Sequence, residues 1–376
     1  MSPHYRPFGA YRFLLAVMVV VSHTHLLAGG SLSAVLGPLG LGNMAVMSFF
    51  VLSGFVIAEA IATYYRGRPG AFLVNRLLRI FPPFVVALGF SLLVHWAIIQ
   101  FADLRVFDPL SDSQRSLMFT ARNILANTLC LVVIYGLSHL GLVLDYLFVR
   151  FVWAVAVELH FYYVAAALVF CAGLASIRKA ETRLPLFWWS VAVLFATLFI
   201  LSMVSPQKLL FYAVWIPYFA LGVAIFHLVD DDEEAKTDAL NTSFLVRYRW
   251  RIWGALAAIG VNWHAYAYMS KNPANWAGVD LAILNLLAAT LFFLGRSTAS
   301  GPRKAIDRWV GDITYPLYLN HYAVSIATLS LVPAEYRGVP LFVGNLAFCI
   351  AASLGLSYVS EPFTRSLRNR IRGASV

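Results

Sequence analysis

At 376 residues, 60% hydrophobic and only 12% charged, with a mean hydropathy of +0.74, the chain carries more apolar surface than a water-soluble fold of its size can hide. Its 28 lysines and arginines against 18 acidic residues leave a net charge of +10, but they stand in short clusters between apolar stretches. That pattern excludes a nucleic-acid surface and points to cytoplasmic retention beside a membrane, and three unpaired cysteines inside apolar segments argue against a disulfide framework or a metal site.

In chain order, apolar windows long enough to cross a ~30 Å hydrocarbon core run from Gly9 to Leu27, Asn43 to Tyr64, Ile80 to Phe101, Phe151 to Cys171 and Leu186 to Val204. Five more run from Leu209 to Val229, Ile252 to Met269, Gly278 to Gly295, Val310 to Leu331 and Val339 to Val359. Arg12 breaks the start of the first window, so a retained anchor is expected there, not a cleaved leader. The acidic run from Asp230 reads as a solvated loop.

The stretch from Asn123 to Phe148 is apolar but interrupted by Gly136, Ser138, His139, Gly141 and Asp145. If it does not cross, one side of the membrane keeps all of the 28 basic residues except Arg105, Arg115, Arg122, Arg150, Lys208, Lys271 and Arg337. The positive-inside rule prefers that arrangement. The expected fold is therefore all-α: a polytopic membrane bundle of ten helices with both termini cytoplasmic, plus a re-entrant or outer-surface segment.

An ionisable group within a span costs about 2.5 to 3.5 kcal/mol on insertion scales, so each one needs a partner or a purpose. Arg12 and His23, both on the first span, are eleven residues apart. On a helix that is ~16 Å and three turns, which puts the two on roughly one face. Glu158 enters the Phe151 to Cys171 span from the outer side and is expected at a depth similar to His23, where it would fix the imidazole as a general base. Arg76 and Arg79 share a face of a short interfacial helix and suit phosphate oxygens. Around Pro316, Tyr315, Asn320 and His321 offer polar groups to a cavity, with His321 as a support for the site. Ser360-Glu361-Pro362 is expected to end the last helix. On the buried charges alone, a secondary transporter or flippase stays open beside an enzyme.

These residues together resemble the acyltransferase-3 family of integral membrane O-acyltransferases. The resemblance rests on Arg12 and His23 with ten residues between them, on Ser48 to Phe55, on Arg76-Leu77-Leu78-Arg79, on Trp153 to Tyr162 around Glu158, on Ile313 to His321 and on Ser360-Glu361-Pro362. It implies one acyltransferase domain over residues 1–376 in the bacterial cytoplasmic membrane. The donor would be cytosolic acetyl-coenzyme A or another acyl-coenzyme A, and the acceptor a hydroxyl of a glycan or lipid-linked saccharide. Arg12, Arg76 and Arg79 would hold the donor's phosphates, and His23 with Glu158 would deprotonate the acceptor. Ser22, His160, Tyr315, Asn320 and His321 would supply substrate contacts or support. Some relatives carry a fused extracytoplasmic domain, so this chain is expected to act alone or with a separate partner protein.

Overall fold

The structure, a computed structural model, describes residues 5–101, 116–133, 145–177, 184–204, 212–234 and 248–373. Among these residues the regular elements are all helical: α1 Gly9–Thr24, α2 Gly30–Leu36, α3 Leu41–Thr63, α4 Pro69–Phe101, α5 Ala121–Val133, α6 Val152–Ile177, α7 Leu184–Val204, α8 Ile216–Glu234, α9 Arg249–Met269, α10 Ala277–Gly295, α11 Gly301–Leu331 and α12 Val339–Arg372.

A helix stands in each of the ten expected windows, but seven candidate spans are long and apolar enough to cross a membrane, carried by α1, α3, α4, α6, α8, α10 and α12. Two of the others are too polar. The Ile252 to Met269 window of α9 contains Asn262 and His264, and the Val310 to Leu331 window of α11 contains Asp312, Asn320 and His321. The bundle is turned outside-out, with large apolar side chains such as Leu93, Phe293 and Phe348 each about two-thirds exposed on its rim, as lipid contact requires.

The centre of the bundle is α3. Its Gly54 lies so close to α8 that a Cβ there would sit 2.1 Å from the Phe219 carbonyl oxygen, and a Cβ on Gly222 of α8 would sit 1.9 Å from that of Val51. Reciprocal glycines let two backbones meet without side chains between them, which is how membrane helices gain packing energy without a hydrophobic effect to drive them together.

Helix starts in this bundle are capped from a distance. Phe8, the N-cap of α1, offers no side-chain acceptor, and Asp307 of α11 takes the Gly9 and Ala10 amides at 2.8 and 2.9 Å. Asp280 of α10 likewise takes the Gly40 amide at 3.0 Å, just before α3. Both carboxylates satisfy orphan N–H groups and meet the positive end of a helix dipole, and in doing so they tie sequence-distant helices together.

Three expectations change in detail. Arg76 and Arg79 lie in the first turns of the 33-residue α4, which runs unbroken through Pro82 and Pro83 and is not preceded by a separate interfacial helix. Ser360-Glu361-Pro362 does not end α12, which continues to Arg372. Tertiary bonds hold that extension: Asn75 donates its side-chain amide to the Arg368 carbonyl and Arg68 donates to that of Ile371. The acidic run from Asp230 is helical up to Glu234, and the rest of that loop, 235–247, lies outside the described residues.

The stretch from Asn123 to Phe148 returns to its own start. Asn123 accepts the Asp145 and Tyr146 amides, and Asn127 accepts that of Phe148 at 3.0 Å while donating to the Tyr146 carbonyl at 2.8 Å. With both ends stitched at one level, the described parts make no net passage along the bundle axis.

Candidate active site

The beginnings of α1, α4 and α11 and the ends of α3 and α12 enclose a basin of about 540 Å³. A smaller cavity of about 100 Å³ lies deeper, between α1, α3, α4, α6 and α11. Arg12, Arg76, Arg79, Val56, Gly311 and Tyr315 line both, so they form the neck between the two. Tyr315 itself donates to the Ile80 carbonyl at 3.2 Å, beside the two prolines of α4.

The basin is strongly basic. Beyond the three neck arginines it is lined by Arg6, Lys304, Arg308, Arg365, Arg368 and Arg372, against Glu59 and Asp312. Both acids are engaged, Glu59 with Arg6 at 2.5 Å and Asp312 with Arg365 at 2.9 Å. The positive charge left over makes the basin a place for a polyanion. Tyr5 crosses its edge, donating to Asp307 at 2.8 Å, and burial followed by that carboxylate pushes its phenol well above the ordinary range.

Arg76 is 3% exposed, its guanidinium lying over the rings of Phe72 and Tyr162 and donating to the Val56 carbonyl at 3.3 Å. Its Nε has no partner, and the side chains of Arg12 and Arg79 make no hydrogen bond among the described residues. Three guanidiniums at one neck thus keep donors in reserve.

Glu158 faces this neck, in the inner cavity. Ser53 donates to its Oε1 at 2.8 Å and Tyr162, one turn further along α6, donates to the same oxygen. The expected pairing of Glu158 with His23 is not formed. The ring of Phe151, just before α6, stacks on His23 with centroids 3.6 Å apart. Glu158 is seven residues further on, or ~10 Å along the helix, towards the arginines.

The partner of His23 is His321. Their Nδ1 and Nε2 atoms are 3.1 Å apart, with Phe151 stacked against both rings. Tyr318, one turn before His321, lines the deep end of the inner cavity and donates to the Phe151 carbonyl at 2.6 Å. Its ring lies 6.1 Å from that of His321, so the cavity ends one side chain short of the histidines.

The remaining candidates scatter. Ser22 packs beside Gly42 at the start of α3. Asn320 is fully buried and donates to Ser353 of α12 at 3.2 Å, away from both cavities. His160 stacks on Tyr212 at 4.1 Å, since two residues from Glu158 means about 200° around the helix.

From the first residue of α1 to Ser360 at the basin wall, residues 9–360 match the family model described as an acyltransferase domain. The chain belongs to the acyltransferase-3 family. No curated protein and no solved structure matches it. The family makes the chain an acyltransferase, and its apolar helices make it a multi-pass membrane protein. The buried charges of this acyltransferase therefore belong to an enzyme, and the transporter reading is set aside. The sequence alone does not single out Ser53, Tyr162 and Phe151, whereas Tyr318 is among the tyrosines of the Val310 to Leu331 window that it offers as candidate oxyanion stabilisers. The first two carried a signal, a hydroxyl inside the Ser48 to Phe55 stretch and a tyrosine four residues after an intramembrane glutamate, whereas Phe151 is one aromatic among 28 phenylalanines.

Proposed function

We propose that the protein moves an acetyl group from cytosolic acetyl-coenzyme A to a hydroxyl of a glycan or lipid-linked saccharide, in the bacterial cytoplasmic membrane, with both termini cytoplasmic and ten crossings. The observation that carries this is the continuous path from a basic basin, through three arginines, into an apolar cavity that stops one side chain below His23. The diphosphate and ribose phosphate of coenzyme A suit the neck and basin, where guanidiniums can grip phosphate oxygens two at a time. The pantetheine arm suits the narrow apolar continuation, and the ~16 Å from Arg12 to His23 is within its reach.

In this scheme His23 Nε2 takes the proton of the acceptor hydroxyl as its oxygen attacks the thioester carbonyl. The carbon–sulfur bond then breaks, and the leaving thiolate recovers the proton from the imidazolium. Glu158 serves the other centre, as the counter-charge of the arginine neck.

Purified protein in detergent tests both halves. Coenzyme A at a hundredfold excess over its Kd adds about 2.7 kcal/mol of stability to a protein that binds it, so its melting temperature rises. His23→Ala is expected to keep that shift and lose roughly 10³-fold in transfer from radiolabelled acetyl-coenzyme A to envelope glycans, as removal of a general base does. A folded His23→Ala protein with full transfer overturns the assignment, and an absent shift overturns the donor.

A further inference from the structure

Resting on that reading, we propose that His321 is the positioning residue that sets the tautomer of His23, through a one-way hydrogen-bond chain anchored on the main chain of α11. His321 Nδ1 lies 2.7 Å from the Tyr318 carbonyl oxygen. A carbonyl only accepts, so Nδ1 of His321 carries the proton and donates it there. Neutral imidazole has one N–H, so Nε2 of His321 is left as an acceptor. The group facing it at 3.1 Å is Nδ1 of His23, which must donate. The consequence falls on the far nitrogen of His23. With its proton fixed on Nδ1, Nε2 holds a lone pair and no hydrogen bond among the described residues, on a ring that is only partly buried.

The chain is rigidly held. His321 is 1% exposed, and its carbonyl accepts from Ser325 at 2.6 Å. Phe151 stacks on both imidazoles within 15° of parallel, which keeps the two rings near one plane orientation. A carboxylate usually orients a catalytic histidine, as an aspartate does in serine-protease triads. Here a neutral imidazole takes that place, without adding a charge to the apolar layer between the inner cavity and the end of α1.

Two substitutions separate the acceptor from mere packing. In His321→Gln the side-chain oxygen falls where Nε2 was and can still accept from His23. In His321→Asn the amide nitrogen falls where Nδ1 was and can still bond Tyr318, but nothing reaches His23. In full-length detergent-solubilised protein, isotope-edited nitrogen NMR, with His23→Gln to assign the resonance, is expected to show His23 protonated on Nδ1 in the wild type and in His321→Gln. In His321→Asn that preference is expected to be lost. Transfer from acetyl-coenzyme A is expected to fall roughly 10²-fold in kcat for His321→Asn, with donor KM unchanged, and only a few-fold for His321→Gln. A wild-type His23 protonated on Nε2 overturns the inference, whether or not the protein transfers acyl groups. So does His321→Asn outperforming His321→Gln, the order a structural tie to Tyr318 would give. Absence of any transfer by wild type would count against the proposed reaction, while the NMR result would still decide the tautomer.

Discussion

The arginine end and the histidine end of the bundle are built on opposite plans. At the arginine end, cations from α1, α4, α11 and α12 surround a wide basin and outnumber the acids, and Nε of Arg76 and the side chains of Arg12 and Arg79 keep donors uncommitted. At the histidine end the rings are stacked, and every imidazole nitrogen of His23 and His321 but one is committed. Surplus donors accept a flexible polyanion in more than one pose, whereas a committed chain leaves a single lone pair in a single place. On the proposed function, the contrast puts donor binding and proton transfer in physically separate places, about three helical turns apart along α1.

That separation can be broken kinetically. Arg76→Met is expected to raise the donor KM by roughly 10- to 100-fold while kcat at saturation changes little, because one charge-assisted contact is worth about 1.5–3 kcal/mol. The variant is expected to fold, since Arg76 forms no salt bridge among the described residues, so no partner charge is left stranded, and Met can lie on the Phe72 and Tyr162 rings. An equal loss in kcat, measured over a range of acetyl-coenzyme A concentrations, would place Arg76 at the reacting atoms and merge the two centres.

Glu158→Gln sharpens the same comparison with a smaller effect. The amide oxygen can still accept from Ser53 and Tyr162, so the fold is kept, but one negative charge leaves the neck. Coenzyme A is expected to bind about two- to tenfold tighter in a calorimetric titration, with kcat within a few-fold of wild type. A collapse of kcat with binding intact would mean that Glu158 acts through His23 after all.

Much of the arginine end was legible in the sequence because charges in apolar windows are costly and stand out singly. Arg12, Arg76, Arg79 and Glu158 all meet around the inner cavity. That Glu158 does not pair with His23 is not legible in the sequence, because the ends of apolar windows do not mark the ends of helices. The first window runs to Leu27, but α1 ends at Thr24, so His23 sits in its last turn, level with Phe151 and not with a residue seven places into α6. Hydropathy does not see a switch from α-helix to the tighter turn over His25–Ala28, nor the rotation of one helix about its axis relative to another. The polarity of the histidine chain was invisible for a different reason: it is fixed by a main-chain carbonyl, which every residue has. The long-range caps were equally hidden, since Asp307 and Gly9 are 298 residues apart.

The smallest effect concerns such a cap. Asp307 binds the Gly9 and Ala10 amides through its two oxygens and also receives the Tyr5 hydroxyl, so it joins α11 to α1 at the basin rim. Asp307→Asn keeps one acceptor but turns an NH₂ group toward a donor and removes the charge that favours the dipole of α1. A loss of about 1 kcal/mol is expected, the usual scale for an N-cap. Because α1 also carries Arg12 and His23, a cap that mattered to the site would alter donor KM or kcat as well as melting temperature. Arg12 lies in that first turn of α1, so its grip on the donor should loosen with the cap, whereas Arg76 and Arg79 stand on α4 and the histidine chain is anchored on α11. The expected outcome is therefore a lower melting temperature with a donor KM raised a few-fold and kcat unchanged, and a matching drop in kcat would show that the rim and the histidine end are mechanically coupled through α1.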